Sequence, residues 1–113
     1  MVLVSGTTIQ ISKKNSAVVD FSLLNADGSL FEPSAEDIVV FSVKKALYAN
    51  DYTLQKETTP DYEGKCTFSF TAAELDLHVG RYYYDLKIFH TDGREETIIN
   101  PAIFEVIEVV NND

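Results

Sequence analysis

The stretch Leu77-His78-Val79-Gly80-Arg81-Tyr82-Tyr83-Tyr84-Asp85-Leu86-Lys87-Ile88 constrains the fold more than any other part of the chain. A leucine three residues before a glycine, with a tyrosine two residues after it, matches the tyrosine corner. In that feature a Tyr near the start of a buried strand ties its hydroxyl to backbone just upstream. Leu77, Gly80 and Tyr82 are its residues here. From Tyr82 the pattern has period two, as a strand with one face on a core requires. Tyr82, Tyr84, Leu86 and Ile88 share one side, and Tyr83, Asp85, Lys87 and Phe89 the other. The spacing predicts a central strand over residues 82–90.

The glycines punctuate the rest. Gly6, Gly28, Gly64, Gly80 and Gly93 stand apart at the N-terminus or at breaks in the pattern, so they serve turns and not a phosphate-binding loop. Between them we read strands over 7–12, 17–24, 38–45 and 65–70, with a short edge strand over 52–58. Val19, Phe21 and Leu23 point inward in the second, and Val39, Phe41 and Val43 alternate with Val40, Ser42 and Lys44 in the third. Asn25-Ala26-Asp27-Gly28 makes a turn, and the weakly patterned stretch 46–63 is expected to be the mobile part. Thr71-Ala72-Ala73-Glu74 fits a capping box that opens about one turn of helix. Thr91-Asp92-Gly93-Arg94 makes a hairpin, after which residues 95–109 return as a strand broken at Asn100-Pro101, where a bulge or a change of partner is expected.

Roughly seven short strands, turns about every ten residues and no long segment of period 3.6 predict an all-β fold. The expected form is an immunoglobulin-like antiparallel β-sandwich, with a small closed barrel as its rival. Residues 1–113 read as a single domain, long enough to bury about two thirds of its unfolded surface without a metal or disulfide. The expected core holds Val19, Phe21, Phe41, Val43, Phe68, Phe70, Tyr82, Tyr84, Leu86 and Phe104.

Chemistry-bearing patterns are sparse. Nine basic against eighteen acidic side chains would repel a nucleic-acid backbone, and the pairs Lys13-Lys14 and Lys44-Lys45 read as solvated strand ends. The one cysteine, Cys66, shares a face with Phe68 and Phe70 and reads as a buried, inert thiol. His78 on the corner and His90 at the far strand end are too distant to share a metal ion. Asp27 and Asp92 could meet Glu32, Glu36 and Asp37 at one end of a sandwich and offer oxygens to calcium. Asp before Gly is also what a tight turn favours for backbone reasons, and we take that reading. No catalytic, cofactor or metal residues are assigned. The N-terminus lacks the pattern of a signal peptide, and no segment has the length of a membrane span. Ile38, Val40, Tyr83, Phe89, Ile103 and Ile107 fall on the outer side of the sheet made by the third, sixth and seventh strands, where a solvated sheet would be polar. They are the candidate interface.

Taken in order, Leu24-Asn25-Ala26-Asp27-Gly28, Val39-Val40-Phe41-Ser42-Val43-Lys44-Lys45, Gly64 to Phe70, Gly80-Arg81-Tyr82-Tyr83-Tyr84-Asp85-Leu86, Thr91-Asp92-Gly93-Arg94 and Phe104-Glu105-Val106 resemble the small immunoglobulin-like domains of bacteriophage tail and baseplate proteins. The layout is similar to the N-terminal domain of baseplate upper proteins over residues 7–109. It departs from that layout in the longer stretch 46–63 and in Asn100-Pro101-Ala102. The resemblance implies a non-catalytic tail or baseplate assembly or attachment domain, made in the bacterial host cytoplasm and carried in the virion. Its partners would be other phage structural proteins or a second copy, with no nucleic acid, membrane or cofactor. A bacterial surface adhesin or carbohydrate-binding module is the alternative.

Overall fold

The computed structural model describes residues 2–3, 8–25, 37–61 and 64–108. The expected turn at 25–28 therefore lies almost wholly outside the described residues. The fold is all-β. Its strands are β1 (Val2–Leu3), β2 (Ile9–Ser12), β3 (Ala17–Ser22), β4 (Leu24–Asn25), β5 (Ile38–Lys44), β6 (Leu54–Thr58), β7 (Lys65–Phe70), β8 (Gly80–Phe89) and β9 (Glu95–Ile107). They form a five-stranded sheet in the order β2-β9-β8-β5-β6 and two pairs, β3-β7 and β1-β4. The tyrosine-rich β8 lies in the middle of the large sheet, hydrogen-bonded on both edges.

One expectation about strand direction is corrected. β2 runs parallel to the last part of β9, Ile9 opposite Phe104 and Ser12 opposite Ile107, so the large sheet is mixed and not antiparallel. A parallel pair needs a long crossover between its strands, and here nearly the whole chain supplies it. Lys13 and Lys14 turn the chain out of the sheet toward β3, with Lys14 in the left-handed region at φ 65°.

The last strand runs without a break over Glu95–Ile107, and the bulge expected at Asn100-Pro101 is present. Tyr84 faces Ala102, Leu86 faces Ile99 and Lys87 faces Thr97, so β9 gains one residue across Asn100-Pro101 and another at Ile98. Proline supplies no ladder donor, and a bulge is how a strand carries it between partners. The capping box closes as expected: Thr71 N donates to Glu74 Oε1 (2.9 Å) and Glu74 N to Thr71 Oγ1 (3.1 Å). Only a turn follows, and no helix is present among the described residues.

The inward faces meet in an aromatic cluster. Phe41 of β5 stacks on Tyr84 of β8 at 5.2 Å between ring centroids and lies 5.4 Å from Phe68 and 5.6 Å from Phe70, both on β7. Phe21 of β3 reaches Phe41 at 5.9 Å and Tyr84 at 6.4 Å. Side chains of the β3-β7 pair therefore pack directly on those of the large sheet, within the 4.5–7 Å range of favourable ring pairs. Leu23, Val39, Val43, Leu86, Ile88, Phe104 and Val106 complete this core together with Leu75 from the turn after β7. Val19 and Phe21 are only partly buried against it.

Along the side closed by β6 and β7, Lys56 of β6 points inward. Its ammonium lies 2.6 Å from Glu74 and 6.0 Å from the Phe70 ring centroid. An inward charge on an edge strand makes that edge a poor template for pairing with another chain.

Candidate functional site

The corner joins the turn before β8 to the end of β2. The Tyr82 hydroxyl donates to the His78 carbonyl at 2.8 Å, and its ring is buried. Leu77 packs against the core, and Gly80 takes φ 151°, a conformation that side-chain-bearing residues rarely adopt. Space is not the reason for glycine, since nothing lies within 4 Å of the position a Cβ would occupy. Lys13 ties the end of β2 to the same corner: its ammonium donates to the Leu77 carbonyl at 2.8 Å and pairs with Asp76 at 3.0 Å. That corrects the reading of Lys13 as a solvated strand end. Hydrogen bonding from Lys13 and the nearby positive charges hold the Asp76 carboxyl below its usual range, and Lys56 does the same for Glu74.

The candidate interface is not one contiguous apolar patch. Ile38 faces Phe89 across β5 and β8, and Tyr83 faces Ile103 across β8 and β9. Asp85 and Lys87 separate these two apolar pairs along β8. Val40 sits between Glu57 and Lys87, and Ile107 is paired with Ser12. Only Ile38 (39%) and Phe89 (37%) are clearly exposed; the other four are half-buried. The two-sided apolar reading rests on β5, β8 and β9 taken singly. Lateral pairing interleaves their outer side chains with charges.

Above the outer face, the connection between β5 and β6 carries exposed apolar side chains: Leu47 (59%), Tyr48 (90%) and Tyr52 (50%). The Lys44 ammonium lies over the Tyr52 ring, 5.0 Å from its centroid. Beneath the connection is a cleft of about 40 Å³ lined by Lys44, Leu47, Tyr83, Tyr84 and Asp85. Burial pushes the Asp85 carboxyl above its usual range, with Lys87 and Lys44 acting in the opposite direction. Sequence reasoning missed this place, because periodicity puts Asp85 on an outer face and says nothing of a loop folding over it.

His90 stands at the end of β8, as expected, and is held there by two carboxylates. Its Nδ1 lies 3.4 Å from Asp37 and its Nε2 3.2 Å from Glu96, with the imidazole and Asp37 largely buried. This cluster ties the start of β5 to the β8-β9 hairpin. Asp92 has both carboxylate oxygens on Arg94, accepting from its backbone N at 3.0 Å and from Nε at 2.8 Å, so it supports its own turn. Asp27, Glu32 and Glu36 lie outside the described residues. Burial, with Asp61 adding to it, pushes the Cys66 thiol up to about 12. Among the described residues no group of three His, Cys, Asp or Glu side chains has the arrangement of a metal site, and no helix is long and apolar enough to cross a membrane.

What these features define is an all-β protein built on a mixed five-stranded sheet with a second strand pair packed on its inner face. No protein-family model matches the chain, and no curated protein matches it.

Proposed function

We propose that the strands form an immunoglobulin-like sandwich and that the chain is a non-catalytic structural domain that works by docking, in the manner of phage or prophage tail and baseplate domains. The observation that carries this reading is the corner bond from Tyr82 to His78 at the start of a strand lying third in the order β2-β9-β8-β5-β6. In a variable-type domain the sheet holding the corner strand gains strands beyond its third, as β6 here lies beyond β5. The aromatic contacts from β3 and β7 supply the opposite layer.

Assembly or attachment then follows from the resemblance, and the water-facing pair Ile38 and Phe89 supports it. The partners are other phage structural proteins or a second copy, and the place of work is the virion. The test is co-expression with the products of adjacent genes, with light scattering on the purified chain. The wild type should self-associate or co-purify with a tail component, and Ile38→Ser with Phe89→Lys should abolish it. A chain that stays monomeric at high concentration and co-purifies with none of those products would refute the reading.

A further inference from the structure

We propose that the cleft beneath the β5-β6 connection, with Asp85 and Lys44 in its lining and Leu47, Tyr52 and Tyr83 around it, binds the edge of a neutral hydroxyl-rich ring, a hexose unit of a saccharide. This goes beyond the docking reading and does not depend on it.

The size of the cleft, about 40 Å³, excludes an enclosed cofactor, which needs roughly 300 Å³ or more. It exceeds the roughly 10–15 Å³ that one water molecule needs, so it admits a hydroxyl or hydroxymethyl group while the rest of a ring lies on the surface. Charge then selects the ligand class. An anion meets Asp85, and a cation meets Lys44 and Lys87, both of which act electrostatically on Asp85. A neutral ring that both donates and accepts suits a cleft lined by both Asp85 and Lys44. Asp85 lies in the lining of the cleft, half-buried, and carboxylate oxygens there can accept from hydroxyl donors.

The surrounding rings point the same way. A connection between two strands is ordinarily made of Gly, Asn, Asp, Ser or Pro, yet this one exposes Leu47, Tyr48 and Tyr52 together. The flat faces of tyrosines suit the C–H face of a sugar, and their hydroxyls suit its rim. Lys44, held over Tyr52, places its donor at the boundary between ring and cleft. A carboxylate whose charged form is disfavoured by burial and that lines a cleft beside exposed rings is a candidate for ligand contact. Contact with one ring of about twelve heavy atoms gives a dissociation constant of about a millimolar.

Amide NMR spectra of the full chain, titrated separately with glucose, galactose and N-acetylglucosamine, test this directly. Nα-acetyllysine amide and inorganic phosphate serve as charged probes. At least one sugar should give saturable shifts at Leu47, Tyr83 and Asp85. Asp85→Asn and Tyr52→Ala should keep the dispersed spectrum of a folded chain and weaken binding about tenfold or more, as loss of a hydrogen bond to a charged group does. The proposal is overturned if none of the three sugars saturates, if Asp85→Asn titrates like the wild type, or if either charged probe binds the cleft more tightly than every sugar.

Discussion

At Tyr82 one hydroxyl joins the strand to the turn that precedes it, and both partners belong to the same short stretch of chain. Tyr82→Phe keeps the ring in the core and removes only that bond. It should lower stability by about 1 kcal/mol in urea denaturation, the usual net worth of a buried hydrogen bond. An unchanged midpoint would mean that the corner contributes nothing. Cys66 allows a second check of the same kind. Its thiol, pushed up to about 12 by burial, stays protonated near neutral pH, and the thiolate is the reactive form. Alkylation should be slow in the native protein and fast in denaturant. Rapid native labelling would show that β7 opens readily or that the side chain faces solvent.

Between the elements, backbone conformation and paired charges set the joints. Gly80 opens β8 at φ 151° with free space around it, so Gly80→Ala introduces backbone strain without a clash. Thermal melts should show a loss of about 1 kcal/mol or more, and a neutral result would mean that the corner relaxes to an ordinary conformation. The turn after β7 is latched on two sides, by Lys13 to Asp76 and by Lys56 to Glu74. These latches join β2 and β6, strands at opposite edges of the large sheet, to a turn between β7 and β8. Nothing in the local pattern of either lysine names its partner.

For the molecule as a whole, the titrating groups act with opposite signs. Glu74 and Asp76 have lowered folded pKa values, so their contribution is complete above the ordinary carboxylate range, about pH 4, and is lost as pH falls through those lowered values. Asp85 has a raised folded value. Its burial cost is present above that value and relieved below the ordinary one. Melting temperature measured against pH should therefore fall on the acid side, and less steeply in a Lys13→Met, Lys56→Met variant. Asp85→Asn should match or exceed the wild type near neutral pH, and its advantage should vanish as the solution is acidified. An Asp85→Asn protein markedly less stable at neutral pH would mean that the carboxylate holds the fold together.

Features that depend on a few neighbouring residues could be read directly from the chain: the period-two faces of β5, β7 and β8, the reciprocal hydrogen bonds of Thr71 and Glu74, and the bulge at Asn100-Pro101. Side-chain alternation and the missing proline donor act within a turn or two, so local order is enough to reveal them. The parallel union of β2 with β9, the seat of His90 between Asp37 and Glu96, and the cleft at Asp85 were not legible in that way. Each joins residues far apart in the chain, and period two tells a strand which face to bury without telling it which strand to lie beside. Leu75 shows the same division in one residue. It stands in a short turn with no periodicity to place it, and it is fully buried in the core cluster. Partner choice is set by the summed burial of the packed strands, a free energy that exists only once the chain has brought those distant surfaces together.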